Sequence, residues 1–200
     1  MKVIKALGRT FWTIISIVLL LVAVLCVLLL SPQVVSRAEI TIVTMTALGI
    51  VTVTFPTFSG IFGGNVEFTS TVESYVNGEQ VTDPIVSTGQ FQLNFDYFAL
   101  IGVILGVVGV LIAIIFYRKK ALLGVSSLFT LASAVILGCQ GLTFSFVNPD
   151  IATLVEQGSI EGLLETSCFS VGGIIFAICM GILFLMSLVR FFLAKSKSSK

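Results

Sequence analysis

Residues 97–120 read YFALIGVILGVVGVLIAIIFYRKK. From Tyr97 to Tyr117 the run carries no charge, and Arg118, Lys119 and Lys120 follow at once. A helix rises about 1.5 Å per residue and bilayer hydrocarbon is roughly 30 Å thick, so about 20 apolar residues make one crossing. Three further charge-free runs qualify, at residues 11–30, 121–141 and 169–189. The whole chain agrees with them. Of its 200 residues, 56% are hydrophobic and 10% charged, and mean hydropathy is +1.13. An average soluble domain carries roughly 25% charged residues. So few charges cannot solvate a soluble surface, which excludes a soluble globular enzyme and a disordered chain. A net charge of +1 offers no footprint for nucleic-acid phosphate. The expected fold class is an all-α transmembrane four-helix bundle, with a small antiparallel β-sheet in the first extracellular loop.

The charges give an orientation. Lys2, Lys5 and Arg9 precede the first span, the triplet 118–120 links the second and third, and Arg190, Lys195, Lys197 and Lys200 follow the fourth. All ten acids lie in the two remaining segments, from Glu39 to Asp96 and from Asp150 to Glu165. Arg37 alone breaks the segregation. By the positive-inside rule both termini are expected in the cytoplasm. The expected order is a cytoplasmic N-terminus at 1–10, spans at 11–30 and 97–117, and an inner link at 118–120. Spans at 121–141 and 169–189 follow, with outer loops at 31–96 and 142–168 and a basic tail at 190–200. The first span opens like a signal peptide, but its apolar run exceeds a typical 7–15-residue core, so it is expected to remain as an anchor.

Residues 40–66 are also uncharged. Threonine recurs there at alternate positions, in Thr44-Met45-Thr46 and Thr52-Val53-Thr54, which is the period of a strand and not of a fifth span. Strands are expected at 39–46, 50–55, 65–76 and 84–93, separated by turns at Leu48-Gly49, Gly63-Gly64 and Asn77-Gly78. In the second outer loop Asn148-Pro149-Asp150 reads as a turn. Short helical runs are expected after it, through Ile151, Leu154 and Val155, then Ile160, Leu163 and Leu164.

The chemical inventory is thin. The chain has no histidine, so a Ser–His–Asp triad is impossible. It has no Cys-x-x-Cys and no phosphate-binding glycine loop, and no catalytic, cofactor or metal site is expected. The spans hold no Asp, Glu, Lys or Arg, which counts against an ion-coupled carrier. Gln140 reads as a side chain reaching the outer interface, with a bond across helices as the alternative.

Small residues recur at four-residue spacing. Gly102 and Gly106 mark one face of the second span, with Gly109 adjacent. Thr130, Ala134 and Gly138 mark a face of the third, and Gly173, Ala177 and Gly181 a face of the fourth. Such faces let helix backbones approach closely in lipid. The first span, without glycine, is expected to be the most lipid-exposed. Cys139 and Cys168 fall near the outer boundary and are candidates for a disulfide if their Cα atoms lie within about 7 Å.

The layout, with Ser59-Gly60-Ile61-Phe62, Ser87-Thr88-Gly89-Gln90-Phe91-Gln92 and Phe146-Val147-Asn148-Pro149, resembles the claudin-like superfamily of four-span membrane proteins. Phe62 stands where that family's motif has Trp, and the paired loop cysteines are absent. The resemblance implies a plasma-membrane protein. The residues imply a non-enzymatic one, whose β-rich outer loop serves a structural, adhesion or accessory-subunit role. Its partners are expected to be the lipid bilayer and a membrane or extracellular protein, or a second copy, but not nucleic acid. Gly60, Ile61 and Phe62 are the candidate contact residues. A small channel or transporter subunit is the alternative.

Overall fold

The computed structural model describes residues 2–30, 33–42, 45–56, 59–77, 79–80, 83–117, 119–150 and 163–193. Four of its helices are long and apolar enough to cross a membrane. They are Thr10–Leu29 within α1 (Lys2–Leu29), α3 (Tyr97–Ile115), α4 (Lys120–Gly138) and α6 (Val171–Leu193). Between α1 and α3 run β1 (Gln33–Ile42), β2 (Met45–Thr54), the single turn α2 (Ser59–Phe62), β3 (Gly64–Val76), β4 (Glu79–Gln80) and β5 (Ile85–Leu93). Helix α5 (Gln140–Val147) and strand β6 (Leu163–Phe169) lie between α4 and α6. The chain forms two compact units. A helical unit comprises Met1–Val27, Phe98–Cys139 and Gly172–Lys200, and a sheet unit comprises Leu28–Tyr97 and Gln140–Val171.

Lipid supplies no hydrophobic drive between helices, so close backbone approach and polar bonds hold the helical unit together. Gly102 and Gly106 are both buried. A methyl on Gly102 would fall 1.7 Å from Leu137 Cδ2, and one on Gly106 would fall 2.7 Å from Ser133 Oγ. Two hydroxyls of α4 donate to α3 carbonyls, Ser126 to Gly109 O at 2.7 Å and Ser133 to Gly102 O at 2.6 Å. Thr130 donates back to Ser126 O at 3.0 Å. The small face on α4 is less regular than its spacing suggests. Thr130 is buried, Ala134 half-buried and Gly138 exposed, and Ser126, Ser127 and Ser133 complete the packed face. On α6, Gly173 is buried and Ala177 is half-buried, with its Cβ 3.3 Å from the position a Gly138 Cβ would take. Gly181 faces open space. Span one buries 17% of its most apolar window, against 33%, 33% and 44% for the others.

The sheet is antiparallel with order β4-β3-β2-β1-β6, and β5 also pairs with β3. Its core is Val53, Phe55, Leu93 and Phe144, with Val66, Phe68, Val72, Phe91 and Cys168 packed against them. The alternation in β3 explains this, because Val66, Phe68 and Val72 share one face. Phe68 pairs with Gly89 and its ring lies 2.7 Å from where a Gly89 Cβ would be, so the aromatic fills the space the glycine leaves.

Four expectations change. Leu48-Gly49 is not a turn. Gly49 pairs with Ala38 on one side and Ser74 on the other, and the β1–β2 hairpin closes where Ile42 meets Met45. Leu163 and Leu164 are not helical but begin β6, which pairs with β1 through Val34 and Cys168. The runs through Ile151 and Ile160 lie outside the described residues. The third span ends at Gly138, and Gln140–Val147 forms a separate helix. Arg190 belongs to the last span and not to a tail.

Candidate interaction surface

The sequence Ser59-Gly60-Ile61-Phe62 becomes the single turn α2 because Ser59 Oγ donates to Pro56 O at its entrance. Gly63 and Gly64 end it with φ of 62° and 102°, a region L side chains avoid. Gly63 also has no room for a side chain, since a Cβ would lie 2.6 Å from Leu93 O. Ile61 is buried at 2% exposure, and its carbonyl accepts from Asp96 N at 2.9 Å. Gly60 is buried too. Of the three candidate contact residues, therefore, only Phe62 is presented, at 53% exposure. Its ring centroid is 6.5 Å from that of Phe95, itself 44% exposed. Tyr97, at the start of α3, is exposed as well.

That aromatic pair sits beyond the end of β5, IVSTGQFQL, which contains no charged residue and, among the described residues, pairs only with β3. Ile85 and Val86, at the other end of β5, are exposed. Natural edge strands are usually blunted by charge, proline or shortness. This one is nine residues long and uses none of these inside the strand.

Behind the edge, polar bonds fasten the sheet unit. Asn94 N donates to Asn148 Oδ1 at 2.7 Å, Asn94 Nδ2 donates to Val147 O at 2.9 Å, and Asn148 Nδ2 donates to Phe144 O at 3.0 Å. The Asn-Pro string of the second loop is thus a brace between the ends of β5 and α5. Gln140 is fully buried and accepts from Ser170 Oγ at 2.7 Å, so it does not reach an interface. Its Nε2 has no partner among the described residues. Asp96, also fully buried, accepts from Thr143 Oγ1 at 3.3 Å and stands just before α3, where a carboxylate suits the positive end of the helix dipole.

All four cysteines are free, so the Cys139–Cys168 bridge is not made. Cys168 packs in the sheet core, and Cys139 is exposed. Burial pushes the Cys168 thiol above its ordinary pKa, partly offset by a hydrogen bond with Ser145. Tyr75 donates to Glu73 Oε2 at 2.7 Å, which raises its phenol. A cleft of about 550 Å³ between the β2 end and β3 has Glu67 as its one acidic side chain, among hydroxyls and Phe55 and Phe68. Among the described residues no three His, Cys, Asp or Glu side chains gather. The sequence pointed to Phe62 but missed Phe95, the β5 edge and the asparagine brace. The absence of charge from residues 85–93 was a readable signal for the edge.

A scan against protein-family models found no match, and a search of curated proteins found no similar sequence. The fold defines the class on its own, a four-span helical membrane protein carrying an antiparallel sheet.

Proposed function

We propose that this chain is a non-enzymatic, multi-pass protein of the plasma membrane. It works as a structural, adhesion or accessory-subunit interaction protein through the β5 edge and the Phe62–Phe95 pair of its sheet unit. Its termini and the 118–120 link face the cytoplasm, and the sheet unit faces outside, by the segregation of basic from acidic residues. The carrying observation is the long, uncharged strand β5, paired on one side only among the described residues. An exposed edge of this kind takes up an added strand, whose main-chain bonds give affinity while neighbouring side chains give specificity. The aromatic pair at its end supplies a hot spot. The bundle supports this reading over a channel. Ser126, Thr130 and Ser133 are buried and spend their hydroxyls on backbone carbonyls instead of lining a wet path. The resemblance to the claudin-like superfamily is retained as part of the proposal, supported by the sheet between the first two spans.

A photoactivatable residue at the exposed position Ser87, in native membranes, tests it. The expected result is a discrete protein adduct that disappears when Val86→Lys puts a charge on the edge. An adduct unaffected by Val86→Lys, or no adduct at all, contradicts the proposal.

A further inference from the structure

Arg190 is 8% exposed, and its Nε and Nη2 have no hydrogen-bond partner among the described residues. Its Cζ lies 4.8 Å from the Trp12 ring centroid and 4.7 Å from that of Tyr117. Stacked aromatics stabilise the cation but accept no hydrogen bonds in the plane of the guanidinium, where its rigid fork of donors points. A buried charge left in that state is costly, so it calls for an anion. The helical unit does not supply one from a side chain. Its three segments contain ten basic residues and no Asp or Glu.

Position says where the anion comes from. Val171 and Arg190 are 19 residues apart on one span, about 28 Å of helix at 1.5 Å per residue. That puts Arg190 at the far edge of roughly 30 Å of hydrocarbon, level with headgroups. Trp12 near the start of the first span and Tyr117 just past the second belong to that same boundary, where aromatic rings gather. Lys120 Nζ, 4.9 Å from the Phe191 ring centroid, and Lys119 Nζ, 5.3 Å from that of Phe116, add positive charge there.

We infer that Arg190, enclosed by Trp12 and Tyr117 between the ends of spans one, two and four, is a binding site for the phosphate of an anionic phospholipid headgroup. The guanidinium fork meets two phosphate oxygens, and the lipid's net charge answers the lysines. Nε and Nη2 are closed off from solvent, so a phosphate oxygen reaches them by displacing the atoms that cover that edge. The inference rests on the bilayer reading of the four spans and is independent of the β5 edge.

The test uses the full chain in detergent, stripped of lipid and titrated with phosphatidylglycerol, phosphatidylcholine or sn-glycerol 3-phosphate. Trp12 is the chain's one tryptophan, so its emission reads the site directly, alongside the unfolding temperature. Phosphatidylglycerol should shift both saturably, and phosphatidylcholine should need roughly tenfold more. Glycerol phosphate at equal phosphate should do neither. Arg190→Gln should raise the phosphatidylglycerol half-point roughly tenfold or more, the loss of charge-assisted bonds. Equal response to both lipids overturns the anionic assignment, and equal response to glycerol phosphate overturns the lipid as source. A wild-type half-point in Arg190→Gln overturns the residue's role. If that variant does not fold, the wild-type emission titration decides alone.

Discussion

Gly106→Leu should destabilise the helical unit by about 2–5 kcal/mol. The first added carbon would fall 2.7 Å from Ser133 Oγ and 3.2 Å from both Met180 Sδ and Phe176 Cζ. All three neighbours are fully buried, so none can swing into lipid. Overpacking of this kind costs about 1–3 kcal/mol. The displaced Ser133 hydroxyl also gives up Gly102 O, a bond worth about 0.6–2 kcal/mol inside a membrane. Alanine is a weaker probe, because removing glycine from a helix returns about 1 kcal/mol. At about 2–4 °C per kcal/mol for a chain of this size, the unfolding midpoint in detergent should fall by about 4–20 °C. Val22→Leu is the control, since Val22 is 43% exposed on the least buried span, and its midpoint should not move. Ser133→Ala in the Gly106→Leu background should add less than its own single cost, since the two share one contact. Equal midpoints for Gly106→Leu and Val22→Leu would refute close packing at the glycine face.

Gly63→Ala should cost about 2 kcal/mol or more in denaturant unfolding, from positive φ and a backbone clash together, whereas Gly64→Ala meets open space and pays only the first. Phe62→Ala should leave the fold intact and weaken partner capture roughly thirtyfold, as truncation of a 2 kcal/mol hot spot does; unfolding of the variant, or unchanged binding, would remove the contact role. The folded state holds the Cys168 proton that the unfolded chain releases above the ordinary thiol value of 9.0. Stability should therefore be complete below that pH and fall as pH rises through and past it, and Cys168→Ala should lose this alkaline limb relative to wild type.

The four spans were legible because each is a charge-free run matched to bilayer thickness, and none of their ends lies more than four residues from where it was expected. The presence of a sheet was legible from alternating threonines, although the strand expected at 39–46 takes in the end of β1 and the start of β2, Gln33–Ile42 and Met45–Thr54. Register was not, because a glycine such as Gly49 signals a turn locally yet is held mid-strand by neighbours on both sides. Strand β6 was invisible for a related reason. Leu163 and Leu164 fit a helical face as well as a strand, and what decides between them is pairing with β1, more than a hundred residues earlier in sequence. Ile61 and Phe62 were indistinguishable in sequence. The carbonyl of Ile61 is tied to Asp96 N, which turns Ile61 inward and leaves Phe62 exposed. The asparagine brace likewise joins residues 54 positions apart, beyond any local pattern.

The functional reading stands on the sheet unit facing outside while the basic link faces in. Single-cysteine variants in a cysteine-free background, at Glu79, Asp83 and Lys119, should be probed in intact cells with a membrane-impermeant maleimide. Glu79 and Asp83 are exposed in the structure and should label without permeabilisation, whereas position 119 should label only after it. Labelling of position 119 in intact cells, with protection of 79 and 83, would contradict the account.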